Sequence, residues 1–159
     1  MIRCLFRRGA TCLRLAHRES NANGGIAATK KTEGQAMKKR ILNVGHCVPD
    51  HLAIEAAITQ HFDAELVPAE NATDTLAKLR AEPFDLVLVN RKLDHDYSDG
   101  IEVISQIKNE PQFRTLPVML ITNFSDYQQK AVEAGAVPGF GKQALGTREM
   151  IEKLRPHLT

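Results

Sequence analysis

Short β-rich apolar runs alternate with helical patterns from Arg40 onward, and this alternation constrains the fold more than any other feature. Five runs are typical of strands: residues 41–44, 65–68, 85–89, 117–122 and 137–140. Five helical patterns follow them: residues 50–61, 72–81, 100–108, 125–135 and 147–158. Strands that alternate with helices pair in parallel and are covered on both faces. The (βα)5 order therefore predicts a doubly wound α/β domain with any functional groups at the carboxyl ends of its strands.

The charge of the chain divides it into two parts. Residues 1–36 carry seven Lys or Arg and two acids, whereas residues 37–159 carry fourteen and seventeen, so the net charges are +5 and −3. The first part lacks a sustained period and has a polar, Gly-containing linker composition. We expect a disordered basic extension over 1–36, arising from a gene start placed too far upstream, and a folded domain over 37–159. An organellar transit peptide, or a tail that meets acidic lipid or nucleic acid, is the alternative.

Several classes of function are disfavoured by composition. No apolar run approaches the roughly 20 residues that cross a bilayer. The three cysteines form no CxxC or metal-ligand spacing, so we expect a reducing, cytoplasmic setting and no membrane association. The folded part is slightly acidic and has no basic stripe, which argues against nucleic acid as its partner. No GxGxxG follows the first strand, and no organic cofactor is expected.

Five local motifs are spread across residues 38–158. They are residues 84–90 (FDLVLVN), Asp99-Gly100, residues 116–122 (LPVMLIT), residues 133–136 (EAGA), and Lys142 after the fifth run. Together they resemble the receiver domain of bacterial response regulators. The resemblance implies a flavodoxin-like sheet of order 2-1-3-4-5. It also implies, for the usual member, a domain that accepts a phosphoryl group from a histidine kinase.

The residues at the positions of that chemistry depart from the family. Asn90 stands at the phosphoacceptor position, and a neutral amide cannot serve as the carboxylate nucleophile. Gly45 and His46 stand where the family places the acidic pair that binds Mg²⁺, a hard cation that prefers oxygen ligands. Thr122 and Lys142 remain at the positions that hold the phosphoryl group. We therefore expect a degenerate pseudo-receiver, not an enzyme, whose Mg²⁺ site is lost and whose Lys142 turns outward or finds a carbonyl or a bound anion.

Two further departures concern the signalling surface. Gly139 aligns with the aromatic residue that the family moves on activation, and it has no side chain to move. Residues 90–100 form a loop about two residues longer than the resemblance implies. Its acids Asp94, Asp96 and Asp99 are candidates for a relocated carboxylate cluster, although a solvated acidic loop is the preferred interpretation.

Three residues near the first helix are given structural interpretations. Cys47 is expected to be a small buried side chain rather than a nucleophile. His51 and His61 are ten residues apart, which is not the i, i+4 spacing of a metal pair, and we expect them at the surface.

Three hypotheses for function follow. The first is a stand-alone adaptor of bacterial two-component or phosphorelay signalling that works by protein–protein interaction without aspartyl phosphorylation. Its partner is a histidine kinase or an output protein, bound on the face of helix 4, strand 5 and helix 5. That face includes Tyr127, Gln128, Lys130, Glu133, Glu149, Lys153 and Arg155. The second is a phosphorylated receiver that uses Asp94 or Asp96, and the third is a small-ligand sensor that takes an anion beside Asn90, Thr122 and Lys142.

Overall fold

A parallel sheet of four strands lies at the centre of the structure, a computed structural model that describes residues 38–159. The strands, in the spatial order β2-β1-β3-β4, are β1 (Lys39–Val44), β2 (Ala64–Ala69), β3 (Leu86–Asn90) and β4 (Val118–Ile121). The helices are α1 (Val48–Thr59), α2 (Ala72–Ala81), α3 (Gly100–Asn109), α4 (Ser125–Glu133) and α5 (Arg148–Leu158). The predicted doubly wound fold is confirmed. The extension predicted for residues 1–36 lies outside the described residues.

The sheet separates two hydrophobic layers because successive strand side chains point to opposite faces. Ile41 faces the layer formed with α1 and α5, and its neighbour Leu42 faces the layer formed with α2, α3 and α4. Both side chains are fully buried. Burial on both faces explains why the strands read as continuous apolar runs rather than as an alternation of apolar and polar residues.

The fifth predicted strand is present as an irregular segment rather than as a strand. Residues 137–140 run beside β4, with a single parallel bridge from Val137. The Val137 N–H donates to the Val118 carbonyl at 2.9 Å, and the Thr122 N–H donates to the Phe140 carbonyl at 3.1 Å. The segment therefore takes the fifth place in the predicted order 2-1-3-4-5, but the prediction of a continuous fifth strand was wrong.

A side chain from α4 interrupts the pairing between this segment and β4. The Gln128 Nε2 group donates to the carbonyls of Leu120 and Thr122, each at 3.1 Å. Its Oε1 atom accepts from the Gly139 N–H at 3.1 Å, while Pro138 has no N–H to offer. A Cβ atom at Gly139 would lie 2.1 Å from the Leu120 carbonyl oxygen, so this close approach requires glycine.

Candidate functional site

The carboxyl ends of β1, β3 and β4 bring together the residues that the sequence singled out. Asn90 ends β3, Thr122 follows β4, and Lys142 follows the irregular segment 137–140. Together they line a cavity of about 260 Å³. The described residues that line it are Asn90, Arg91, Lys92, Ile121, Thr122, Asn123, Phe124 and Lys142. Arg91, Lys92 and Phe124 were not candidates from the sequence, although two of them directly follow Asn90.

Asn90 is half-buried and is held by the loop after β1. Its Nδ2 group donates a hydrogen bond to the Gly45 carbonyl at 3.0 Å. The same carbonyl accepts from the Asp94 N–H at 3.0 Å. The position is therefore organised around a side-chain donor, which an amide has and an ionised carboxylate lacks.

Gly45 has a backbone conformation and surroundings that exclude a side chain. Its φ of 69° lies in the left-handed region that favours glycine. A Cβ atom added here would lie 2.3 Å from Cγ of Leu93, a residue that is itself fully buried. The first of the two acidic-pair positions thus has no room for a carboxylate in this arrangement.

His46, at the second acidic-pair position, is an enclosed neutral imidazole. Neither of its ring nitrogens has a hydrogen-bond partner among residues 38–159. Burial, and then the positive charge of Lys142, lower the pKa of His46 from 6.5 to about 3. Near neutral pH the ring is therefore uncharged and contributes no negative charge to the site.

Lys142 forms an ion pair that the sequence did not predict. Its Nζ atom lies 2.5 Å from Oδ2 of Asp50, in the first turn of α1. The hydrogen bond from Lys142 lowers the pKa of Asp50 below its ordinary value. The expectation that Lys142 would turn outward or find a carbonyl or a bound anion was wrong, because the carboxylate of Asp50 is its partner. The signal for it is weak, since an acid in a first helical turn is also favoured by the helix dipole alone.

Two residues beside this pair also differ from expectation. Cys47 is the N-cap residue of α1 and is only half-buried, so its prediction as a small buried side chain was wrong. Nδ1 of His51 lies 2.7 Å from Nδ2 of Asn43, an amide fully buried in β1. His51 is therefore part of an internal contact rather than a plain surface residue, whereas His61 is exposed as predicted.

The three candidate acids of the long loop have separate local contacts. Asp99 caps α3, because its Oδ1 atom accepts from the Ile101 N–H at 2.9 Å. Oδ1 of Asp96 accepts from the N–H and the hydroxyl of Ser98, at 3.0 and 2.7 Å. Asp94 is exposed, and its backbone N–H bonds to the loop after β1. Within residues 38–159, no three His, Cys, Asp or Glu side chains are grouped so as to hold a metal ion.

Two members of the predicted partner surface are engaged inside the fold. Gln128 bridges β4 and the irregular segment, as described above. Nζ of Lys153 lies 2.5 Å from the Gly139 carbonyl and 2.9 Å from Oε1 of Glu149. Both side chains are half-buried and support the segment 137–140, a structural role that the sequence did not predict for them.

An aromatic and cationic cluster stands at the start of α4 instead. Phe124 is 57% exposed, and its ring packs edge-on to Tyr127 with centroids 6.3 Å apart. The Arg91 guanidinium lies 5.3 Å from the Phe124 centroid and 5.0 Å from the Tyr127 centroid. Lys130 contacts the Tyr127 ring at 5.1 Å. We call these four residues the α4 cluster.

Comparison with known proteins identifies the family. Residues 46–155 match the response regulator receiver domain, and the chain belongs to this family. No curated protein matches the sequence. No helix in residues 38–159 has the length and apolar character needed to cross a membrane.

Solved structures agree on the fold. CheY4, a chemotaxis response regulator of Vibrio cholerae, is 16% identical with a TM-score of 0.60, over 76% of this chain and 99% of that one. A CheY-like receiver domain protein from Methanospirillum hungatei is 25% identical with a TM-score of 0.58, over 76% and 94%. NtrX from Brucella abortus is 23% identical with a TM-score of 0.64, and the match covers 77% of this chain but only 27% of NtrX. These similarities support the flavodoxin-like fold.

Proposed function

We propose that the protein is a receiver-type adaptor of bacterial two-component signalling that binds a partner protein without being phosphorylated on an aspartate. It acts in the cytoplasm, as a binding module rather than as an enzyme. The observation that carries the proposal is the contact between the Asn90 amide and the Gly45 carbonyl. It places a side-chain donor, and not a nucleophilic carboxylate, at the centre of the site.

The contact of Asn90 disfavours an acid at this position. An aspartate in the same rotamer would place a carboxylate oxygen about where Nδ2 now lies, 3.0 Å from the Gly45 carbonyl. Two acceptors would then face each other in a half-buried setting, which costs free energy instead of gaining it. Acyl-phosphate chemistry therefore lacks both its nucleophile and a favourable place for one.

The donor set does not fit the Mg²⁺ ion that the family uses. Gly45 has no space for a side chain, and His46 is a neutral imidazole, whereas Mg²⁺ prefers carboxylates and water. The carboxylate of Asp50 is neutralised by its ion pair with Lys142. Phosphotransfer that depends on Mg²⁺ is therefore not expected at this site.

Partner binding is the function that remains for such a domain. The α4 cluster presents an exposed aromatic ring beside cations, and aromatic residues and Arg are enriched in protein–protein contacts. Without a phosphoryl group, the choice between conformations depends on what binds to each of them. The partner is a histidine kinase or an output protein of the same signalling class.

The test of the missing chemistry uses the full chain, acetyl phosphate and Mg²⁺, with intact mass as the readout. We expect no phosphoryl adduct on the wild type, and none on Asn90→Asp, because the metal ligands are also missing. Asn123→Asp is the matched control, because Asn123 is an exposed asparagine that follows β4 at the same edge of the sheet. A wild-type adduct that maps to Asp94 or Asp96 would instead establish the relocated receiver.

The test of partner binding compares the proteins that are captured by the wild type with those that are captured by the Phe124→Ala variant. We expect the wild type to retain a kinase or output protein of two-component signalling that the variant loses. His61→Ala, at an exposed residue in the turn after α1, should bind as the wild type does. Equal capture by all three proteins would remove the α4 cluster from the proposal.

A further inference from the structure

We propose that the cavity beside Asn90 binds a small phosphomonoester that carries a planar aromatic ring, as a mononucleotide does. The inference rests on the proposed function in one respect: without a phosphoryl group on residue 90, the cavity stays open to a ligand. It assigns an anionic ligand to a site at which the family binds both Mg²⁺ and a phosphoryl group.

The charge of the lining favours an anion. Arg91, Lys92 and Lys142 all line the cavity, and none of the described residues that line it is acidic. Lys142 donates one of its three N–H groups to Asp50, which leaves two for a ligand. Within the part of the chain that the structure describes, Lys92 bonds only to the Tyr97 carbonyl, an uncharged acceptor. Among residues 38–159, Arg91 takes part in no ion pair.

Neutral donors are also available at the same cavity. Thr122 is buried, and its Oγ1 atom accepts from the Phe124 N–H at 3.2 Å, so the hydroxyl hydrogen remains free to donate. Asn90 uses one hydrogen of its amide on the Gly45 carbonyl and keeps the other. Hydroxyl, amide and cationic donors around one small space suit the several oxygens of a phosphate group.

The rim supplies a platform for an aromatic ring. Phe124 lines the cavity and is 57% exposed, and the Arg91 guanidinium lies over its ring. Bases stack on such aromatic rings and guanidinium planes. The volume of about 260 Å³ is slightly below the range of roughly 300–1,000 Å³ that encloses a drug-sized ligand. A phosphate inside the cavity with its ring outside, on Phe124, matches this size.

The ligand would also contact the surface that we assign to the partner. Phe124 is the N-cap residue of α4 and belongs to both the cavity rim and the α4 cluster. A ligand that binds one orientation of this ring more tightly than another shifts its population. The phosphomonoester thereby takes the regulatory place that aspartyl phosphorylation holds in the family.

The experiment is an amide chemical-shift titration of the full chain with AMP, ribose 5-phosphate and adenosine at constant ionic strength. We expect saturable shifts at Asn90, Thr122 and Lys142 with AMP, and at least tenfold weaker binding of ribose 5-phosphate. Adenosine should bind more weakly still. No saturable shifts with AMP, or equal affinity for AMP and adenosine, would overturn the proposal.

Two variants locate the site. Arg91→Gln should weaken the binding of AMP at least tenfold, and Phe124→Ala should remove the preference for AMP over ribose 5-phosphate. Arg114→Gln, an exposed arginine before the other end of β4, is the matched control and should bind AMP as the wild type does. Equal weakening by both arginine variants would mean general charge attraction and would refute the site. A phosphoryl adduct in the acetyl phosphate test refutes the proposed function, whereas absent AMP binding refutes this inference alone.

Discussion

Replacing Gln128 by alanine should destabilise the domain, because its side chain joins α4, β4 and the irregular segment. The carboxamide makes three hydrogen bonds to backbone groups, of Leu120, Thr122 and Gly139. Each such bond contributes about 0.5–1.5 kcal/mol net, and a buried group left without a partner costs more. Because Gln128 lies beside a cavity and is half-buried, water replaces part of the loss. We therefore expect a loss of about 2 kcal/mol for Gln128→Ala.

Urea unfolding of the full chain measures this loss. With a slope of about 1–3 kcal/mol per molar urea for a domain of this size, the midpoint should fall by about 1 M at an unchanged slope. Gln129→Ala is the control, since Gln129 is exposed and bonds only to Glu133 on the same helix. A pair of this kind contributes about 0.2–0.5 kcal/mol. Equal midpoints for the two variants would show that the bridge does not stabilise the domain.

Three further predictions concern the site and its support. Gly139→Ala should cost more than about 3 kcal/mol in unfolding free energy, because the new Cβ would lie 2.1 Å from the Leu120 carbonyl oxygen. Stability should fall, by up to roughly 1 kcal/mol per pH unit, as pH drops from 6.5 toward 3, because the unfolded state protonates His46 before the folded state does. Asp50→Asn should cost less than about 1 kcal/mol, since its ion pair with Lys142 is about one-third exposed, and should raise the affinity for AMP.

Each of these predictions has its own control. At Gly146, whose φ is 73°, an added Cβ atom has no neighbour within 4 Å among residues 38–159. Gly146→Ala should therefore lower the unfolding free energy by only about 1 kcal/mol. His46→Gln should flatten the decline of stability between pH 6.5 and 4 in urea titrations, and an unchanged slope would contradict the assignment. Glu152→Gln, which breaks an exposed ion pair with Arg148, should leave the affinity for AMP unchanged, and a rise equal to that of Asp50→Asn would be evidence against a local effect.

The sequence predicts the layers of the fold because burial on both faces of the sheet produces local patterns of apolar residues. The apolar run of β1 and the helical period of α3 each reveal their environment within a few residues. Segment 137–140 is different: Val137 and Phe140 read as strand residues, but a glutamine from α4 occupies the bonding position. Nothing within the segment encodes that contact.

The sequence predicts which residues lie at the site but not which side chains contact each other there. The carboxyl ends of parallel strands meet at one edge, so Asn90, Thr122 and Lys142 were expected together. The pairing of Lys142 with Asp50 joins residues 92 positions apart, and only the packing of α1 against the sheet brings them into contact. Arg91 likewise contacts the ring of Phe124, which belongs to another loop, so this contact could not be predicted from the neighbours of Arg91 in the sequence.

The contact between Gly45 and Leu93 makes an acid at position 45 difficult to introduce by mutation. The added Cβ atom would lie 2.3 Å from Cγ and 2.9 Å from Cβ of Leu93, so even a smaller side chain at position 93 would leave a close contact. Leu93 is fully buried, and truncating such a leucine costs about 2–5 kcal/mol, a large share of the 5–15 kcal/mol that holds a typical domain folded. Each single substitution toward an acidic pair is thus unfavourable by itself. Selection for a folded protein therefore favours glycine at position 45.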